Sequence, residues 1–147
     1  MQGVGYVNEL LARLTDSPVR DHTQHNASLP FPLHKKLYAD FSHDNQMIAI
    51  YAALGLFPQR APLDPTAPDP KRTYVASRLV PFSGRLVTER LECGAKGKFV
   101  RMLVDDALQP LEFCGGDKDG LCALERFVVS QSYSRNNGEG DFEKCFD

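Results

Sequence analysis

A proline-rich segment at residues 58–72 divides this sequence into two parts of different character. It holds five of the ten prolines of the chain, at positions 58, 62, 65, 68 and 70. Proline fixes φ and lacks a backbone N–H group, so a segment this dense in proline cannot be a helix. We therefore expect an extended linker or an exposed loop here, with residues 1–57 before it and residues 73–147 after it.

Two segments within residues 1–57 have the patterns of helices. In the first segment, apolar residues recur at steps of three, three, one and three residues. This spacing predicts an amphipathic helix over residues 3–15. The second, residues 46–57, is apolar on nearly all sides, with Gly55 near its end and Pro58 beyond. This pattern predicts a buried helix, separated from the first by a long polar loop at residues 16–36.

A short segment at residues 37–41 contains two aromatic residues and predicts a strand that leads directly into Ser42, His43, Asp44 and Asn45. Strand, polar turn and buried helix would together form a βα unit. The carboxyl end of the strand and the first turn of the helix form a natural anion site in such units.

The pattern after residue 73 favours β-structure. Strands are predicted within residues 74–80, 85–91 and 98–104, and Asp105-Asp106 is typical of a hairpin turn that returns through residues 107–111. A short closing helix is predicted at residues 124–132, followed by a polar tail.

Composition excludes several classes of protein. The 147 residues, 42% of them hydrophobic and 24% charged, suffice to bury a core. A net charge of −2 provides no basic face for a phosphate backbone, so nucleic acid is not an expected partner. No apolar run approaches the roughly 20 residues that span a bilayer, so no membrane span is expected. The sequence also has no signal peptide pattern.

All four cysteines lie in the final 55 residues, without the Cys-x-x-Cys pair typical of zinc sites. They are Cys93, Cys114, Cys122 and Cys145. An even number with irregular spacing favours disulfides, and Asn26 begins a glycosylation sequon. These features predict a secreted, extracellular chain, so the missing export signal suggests that the chain is part of a longer protein.

His43 and Asp44 offer a cation-capable imidazole and a carboxylic acid at the mouth of the predicted βα unit. In a functional interpretation, His43 hydrogen-bonds a bound anion while Asp44 gives a proton to a leaving oxygen. In the alternative, Asp44 or Asn45 is only a helix N-cap and His43 an ordinary loop residue. The residue types alone favour the alternative, because such caps are common.

Other candidate sites are weaker. His22 and His25 lie in the polar loop without a third metal ligand, so no metal site is expected. Residues 117–120 resemble part of a calcium loop, but its first and twelfth positions lack carboxylates. What remains is a glycine-rich turn between Cys114 and Cys122, which are close enough in sequence for a disulfide stabilising by about 2 kcal/mol.

Residues 38–45, with the sequence YADFSHDN, closely resemble the C-terminal active-site segment of fungal phytases in the histidine acid phosphatase family. Other stretches resemble that family in the same order along the chain. They are residues 3–15 and 18–23 before this string and residues 53–56, 80–82, 100–106 and 143–146 after it. The resemblance implies an α/β fold, the C-terminal part of a phosphoglycerate-mutase-like domain that is incomplete without its N-terminal portion.

The family also implies a mechanism. A histidine in an Arg-His-Gly-x-Arg-x-Pro motif attacks a phosphate monoester, and water hydrolyses the resulting phosphohistidine. By this resemblance His43 contacts the phosphoryl oxygens, Asp44 protonates the leaving alkoxide and Asn45 supports them. The covalent route requires no metal or other cofactor. The implied substrate is a small phosphate ester, with phytate (myo-inositol hexakisphosphate) the first choice.

The sequence departs from the family pattern at the nucleophile. Its four histidines are followed by Thr23, Asn26, Lys35 and Asp44, so no Arg-His-Gly occurs. We therefore expect residues 1–147 to be the C-terminal portion of the domain, inactive alone and packed against an N-terminal portion. The resemblance implies that Cys114 pairs with Cys122, and that Cys93 and Cys145 have partners in that portion.

Two alternatives remain open. The chain has no tryptophan, although related phytases commonly carry one before Val-Pro-Phe, so a broad-specificity secreted acid phosphatase is one alternative to a phytase. The other is a catalytically inactive truncated product or a phosphate-binding module.

Overall fold

The structure is a computed structural model and describes residues 2–20, 31–141 and 143–146. The described residues form five α-helices and four β-strands, joined by turns and short 3₁₀ segments. The helices are α1 (Val4–Thr15), α2 (Asp44–Leu54), α3 (Ala76–Leu79), α4 (Leu124–Ser130) and α5 (Ser132–Arg135). The strands are β1 (Leu86–Glu92), β2 (Lys98–Val104), β3 (Ala107–Leu108) and β4 (Cys122–Ala123).

The two long helices lie where the sequence predicts them. The apolar stripe of α1 is buried, and the C-cap of α1 is Asp16, which adopts a left-handed conformation with φ of 52°. The C-cap of α2 is Gly55, with φ of 80°, a conformation that glycine adopts without steric cost. Helix α2 starts at Asp44, two residues before the predicted segment, because the polar turn contributes its first residues.

Strand β2 is the centre of an antiparallel sheet. It pairs with β1 over all seven residues, from Leu86 opposite Val104 to Glu92 opposite Lys98. Along its other edge it pairs with β3 and, further along, with β4. The predicted hairpin turn between β2 and β3 is confirmed, since Asp105 and Asp106 both have positive φ, at 49° and 64°.

The core lies between the helices and the inward face of the sheet. Its buried side chains come from α1, α2, α4, β2 and the segments beside them. The largest fully buried side chains are those of Phe127, Leu54, Met102, Leu111, Val7 and Val100. A buried hydrogen bond of 3.0 Å from Asn8 Nδ2 to the carbonyl oxygen of Ser134 joins α1 to α5.

Two predicted strands are not strands in the structure. Residues 37–41 have the sequence pattern of a strand, but residues 31–42 make no backbone–backbone hydrogen bond with other described residues. Without a neighbouring strand the predicted βα unit is therefore reduced to an irregular segment followed by α2. Residues 74–80 instead contain α3, whose first turn is closed by N–H groups of Arg78 and Leu79 donating to the carbonyl of Val75.

The proline-rich segment is the exposed loop that the sequence predicts, with residues 58–71 all exposed. Several large apolar side chains elsewhere are also open to solvent. Leu37, Phe41, Phe82, Val129 and Phe146 are the most exposed of them. Within the described ranges, no helix combines the length and apolar character that a membrane crossing requires.

Candidate functional site

His43 and Asp44 lie at the N-terminus of α2. His43 is the N-cap residue, with extended backbone angles (φ −118°, ψ 162°), and its carbonyl accepts the N–H of Met47 at 2.9 Å. Asp44 is the first helical residue, and both side chains are exposed. Since helix N-terminal N–H groups and the helix dipole attract negative charge, the pair lies where an anion would be stabilised.

The structure does not agree with the alternative in which Asp44 or Asn45 is only the N-cap of the helix. Neither Asp44 nor Asn45 is the N-cap, because both lie inside α2, and His43 caps the helix without a side-chain hydrogen bond. The backbone N–H of Asn45 donates to Oδ1 of Asp44 at 2.8 Å, so this contact holds the carboxylate against the start of the helix. Asn45 thus contacts Asp44 through its backbone.

The segment before the pair is attached to α1 by a charged contact. Two guanidinium nitrogens of Arg13 donate to the two carboxylate oxygens of Asp40, one of them at 3.1 Å. The same guanidinium lies against the rings of Phe31 and Tyr38. The sequence analysis missed Arg13 and Asp40. No local pattern pairs them, because they are 27 residues apart and Asp40 lies outside regular structure.

A second ionic contact fixes the end of α1. Arg90 on β1 donates to Oδ2 of Asp16 at 2.6 Å and to the carbonyl of Leu14 at 3.0 Å. This hydrogen bond from Arg90 lowers the pKa of the Asp16 carboxyl group. The helix that carries Arg13 is therefore tied to the sheet at its C-terminus.

Cys114 and Cys122 form a disulfide with their Cα atoms 6.1 Å apart, the pairing expected from the sequence. Both residues are buried, and Cys122 lies on β4 beside the central strand. Cys93 and Cys145 are free and exposed. The bridge closes the glycine-rich turn and joins β4 to the 3₁₀ segment Glu112–Cys114, while strand pairing holds β4 beside β2.

The remaining sequence candidates add nothing to the site. Asn26, His22 and His25 lie outside the described residues. Among the side chains that the structure describes, no group of three or more histidines, cysteines or carboxylates is arranged to hold a metal ion.

Comparisons with known proteins identify the family and the fold. Residues 1–105 match the family model described as histidine phosphatase superfamily (branch 2). The chain is similar to Phytase A of Emericella nidulans, with 43% identity over 99% of this chain, and to Phytase A of Arthroderma benhamiae, with 45% identity over 95%. It spans about a third of the length of these curated relatives, 33% in each case.

A solved structure has the same fold. The crystal structure of the phytase from D. castellii superposes with a TM-score of 0.72 over 92% of this chain and 26% of that chain. The sequence identity is 20%, so this likeness concerns the fold alone. It confirms the fold class predicted from the sequence, a mixed architecture of helices and sheet.

Proposed function

The chain belongs to branch 2 of the histidine phosphatase superfamily, and on that premise we propose that it supplies the proton-donating half of a phosphomonoesterase site. The observation that carries the proposal is the exposed His43–Asp44 pair at the N-terminus of α2. The attacking histidine belongs to a complementary portion, because Arg-His-Gly occurs nowhere in this sequence and the chain spans only a third of its relatives.

In the proposed reaction, a nitrogen of the attacking histidine forms a bond to phosphorus and the bond to the ester oxygen breaks. Asp44, protonated at the start, gives its proton to the leaving oxygen, so the alcohol departs neutral. His43 and the N-terminus of α2 hold the negative phosphoryl oxygens. Water then attacks phosphorus, the bond to the histidine breaks, and the carboxylate of Asp44 takes the proton that the water loses.

We propose phytate as the substrate, since the similar curated proteins are named Phytase A. A secreted location accompanies the proposal, supported by the Cys114–Cys122 disulfide, because such bonds persist in oxidising compartments. Alone, the chain is expected to hydrolyse no phosphate ester, because it brings an acid without a nucleophile.

The test combines this chain with the complementary portion, defined as the two-thirds of Emericella nidulans Phytase A that the chain does not match. Phosphate release from phytate is measured for each polypeptide and for the mixture. We expect turnover only in the mixture, and a loss of about 10²- to 10⁴-fold in kcat/KM for Asp44→Asn. Asp69→Asn, in the exposed proline-rich loop, is the matched control and should keep full activity.

Two results would contradict the proposal. One is turnover by the 147-residue chain alone that disappears with Asp44→Asn. The other is an assembled mixture, shown by gel filtration, that releases no phosphate or that keeps its rate with Asp44→Asn. A preference for p-nitrophenyl phosphate over phytate in the active mixture would favour a broad acid phosphatase instead.

A further inference from the structure

The chain that leads into His43 has few restraints of its own. Residues 31–42 form no backbone–backbone hydrogen bond with other described residues, and Leu37 and Phe41 are 83% and 99% exposed. An extended segment in this state has no sheet to set its direction. Its side-chain contacts must therefore define where it lies.

The strongest of these contacts is made by Arg13. Its two terminal nitrogens donate to separate oxygens of Asp40, which fixes the orientation of the carboxylate as well as its distance. The guanidinium carbon lies 4.9 Å from the ring centre of Tyr38 and 5.3 Å from that of Phe31. Both distances are within the range of favourable cation–π contact. We call Arg13, Asp40, Tyr38 and Phe31 the Arg13 clamp.

The clamp has a rigid base. Arg13 lies on α1, whose apolar face is packed in the core, and its side chain is only 11% exposed. Glu9, one helical turn earlier, lies 3.6 Å from the guanidinium and adds a second carboxylate. The Asp40 and Glu9 side chains are both 42% exposed, so the restraint comes from the buried position of Arg13 and the two-point geometry of its contact rather than from exclusion of water.

The clamp is also close to the proposed chemistry along the chain. Asp40 precedes His43 by three residues and Asp44 by four. An extended residue spans about 3.3 Å, so the clamp fixes the backbone within about 10 Å of the N-cap of α2. A lysine at position 13 keeps the charge but offers no planar fork for the carboxylate and stacks poorly on the rings.

We propose that Arg13 is a positioning residue, which sets the entry of the chain into α2 and thereby aims Asp44 at the leaving oxygen. The inference rests on the proposed function for its chemistry. Its structural part, the restraint of residues 39–44 by Arg13, is measurable on this chain alone.

The first experiment uses the ¹⁵N-labelled 147-residue chain and Arg13→Lys. Heteronuclear NOE values for the amides of residues 39–44 should fall in the variant, while those of α1 and the sheet stay unchanged. The control is Arg101→Lys, which alters an ion pair with Glu89 (2.5 Å) between β1 and β2, away from the segment. Unchanged NOE values in a folded Arg13→Lys chain would overturn the inference.

The second experiment asks whether the role is more than structural, in the active mixture with the complementary portion. A general acid matters most when the leaving group is a poor one, such as an alkoxide, and little for nitrophenolate. We expect Arg13→Lys to reduce kcat/KM for β-glycerophosphate by about tenfold or more, with a loss under about threefold for p-nitrophenyl phosphate. Asp44→Asn should show the same selectivity.

Equal losses on both substrates, or none, would overturn the positioning role. Rescue provides a further check, since Asp40→Glu extends the carboxylate toward a lysine and should restore part of the lost selectivity in Arg13→Lys. If the wild-type mixture is inactive although assembled, the proposed function fails. The NOE comparison still decides whether Arg13 restrains residues 39–44.

Discussion

Tyr51 is a single residue whose environment has a measurable consequence. Its side chain is 2% exposed, and its hydroxyl group has no hydrogen-bond partner among the described residues. Burial, with a smaller contribution from the nearby carboxylate of Asp105, raises the pKa of this tyrosine to about 12. The hydroxyl is therefore tolerated in the core only in its neutral form.

Tyr51→Phe removes this hydroxyl and should leave the free energy of unfolding at pH 7 unchanged or raise it by about 1 kcal/mol. The pH dependence follows from the raised pKa. The stability that comes from keeping Tyr51 protonated is fully present below the pKa of tyrosine in the unfolded chain, near 10. It is lost as the pH rises toward about 12, the pKa in the folded chain. The free energy of unfolding, measured with urea, should thus fall less steeply between pH 9 and pH 12 for Tyr51→Phe than for the wild type. Identical slopes for Tyr51→Phe and the wild type would contradict the prediction.

The residue types make His43 and Asp44 candidates because the two are adjacent and their chemistry is local, but it is the resemblance of residues 38–45 to a known active-site segment that favours a functional role. Arg13 and Asp40 could not be found this way. Their contact depends on how α1 packs beside an irregular segment, and this packing is set by the core rather than by either residue's neighbours.

Regular elements were predictable where their pattern is complete within the segment. Helix α1, strands β1 and β2 and the Asp105-Asp106 turn follow from periodicity and turn chemistry. Residues 37–41 and 74–80 were predicted wrongly because a short apolar segment becomes a strand only when a neighbour pairs with it. That information is not in the segment.

Helix α4 provides a test at the scale of one element. Phe127 is fully buried and lies near the ring of Phe113, whereas Val129 on the same helix is 68% exposed. Phe127→Ala should lower the free energy of unfolding by about 3 to 5 kcal/mol, because it removes a large apolar side chain and leaves a cavity. Val129→Ala is the control, with a change within about 0.5 kcal/mol.

The free energies of unfolding of both variants are measured by chemical unfolding, monitored by far-UV circular dichroism. The packing described for this helix would be wrong if Phe127→Ala cost no more than Val129→Ala.

The molecule as a whole has a closed core beside open apolar segments. The helices cover β2, yet Leu37 and Phe41 project from a segment without a backbone partner. Exposed large apolar side chains often mark an interaction surface. The chain spans a third of its relatives, so we expect the complementary portion to cover these two residues.

Replacing both residues (Leu37→Ser, Phe41→Ser) should weaken binding of the complementary portion by at least about tenfold, since two buried apolar contacts are lost. Stability of the 147-residue chain alone should change by less than about 0.5 kcal/mol, because both side chains are exposed there. Isothermal titration calorimetry measures the affinity. Asp69→Ser, at an exposed polar residue of the proline-rich loop, is the control. Equal affinities for the double variant and the wild type would contradict the expected interface.

The exposed proline-rich loop has a further consequence, for the rate of folding. Each bond before a proline populates the cis isomer in the unfolded chain and interconverts over tens of seconds. With ten prolines, most unfolded molecules carry at least one non-native isomer. The five in the loop lie at exposed positions. A molecule with the wrong isomer there can close its core first and correct the bond afterwards, so isomerisation at these five prolines need not delay folding.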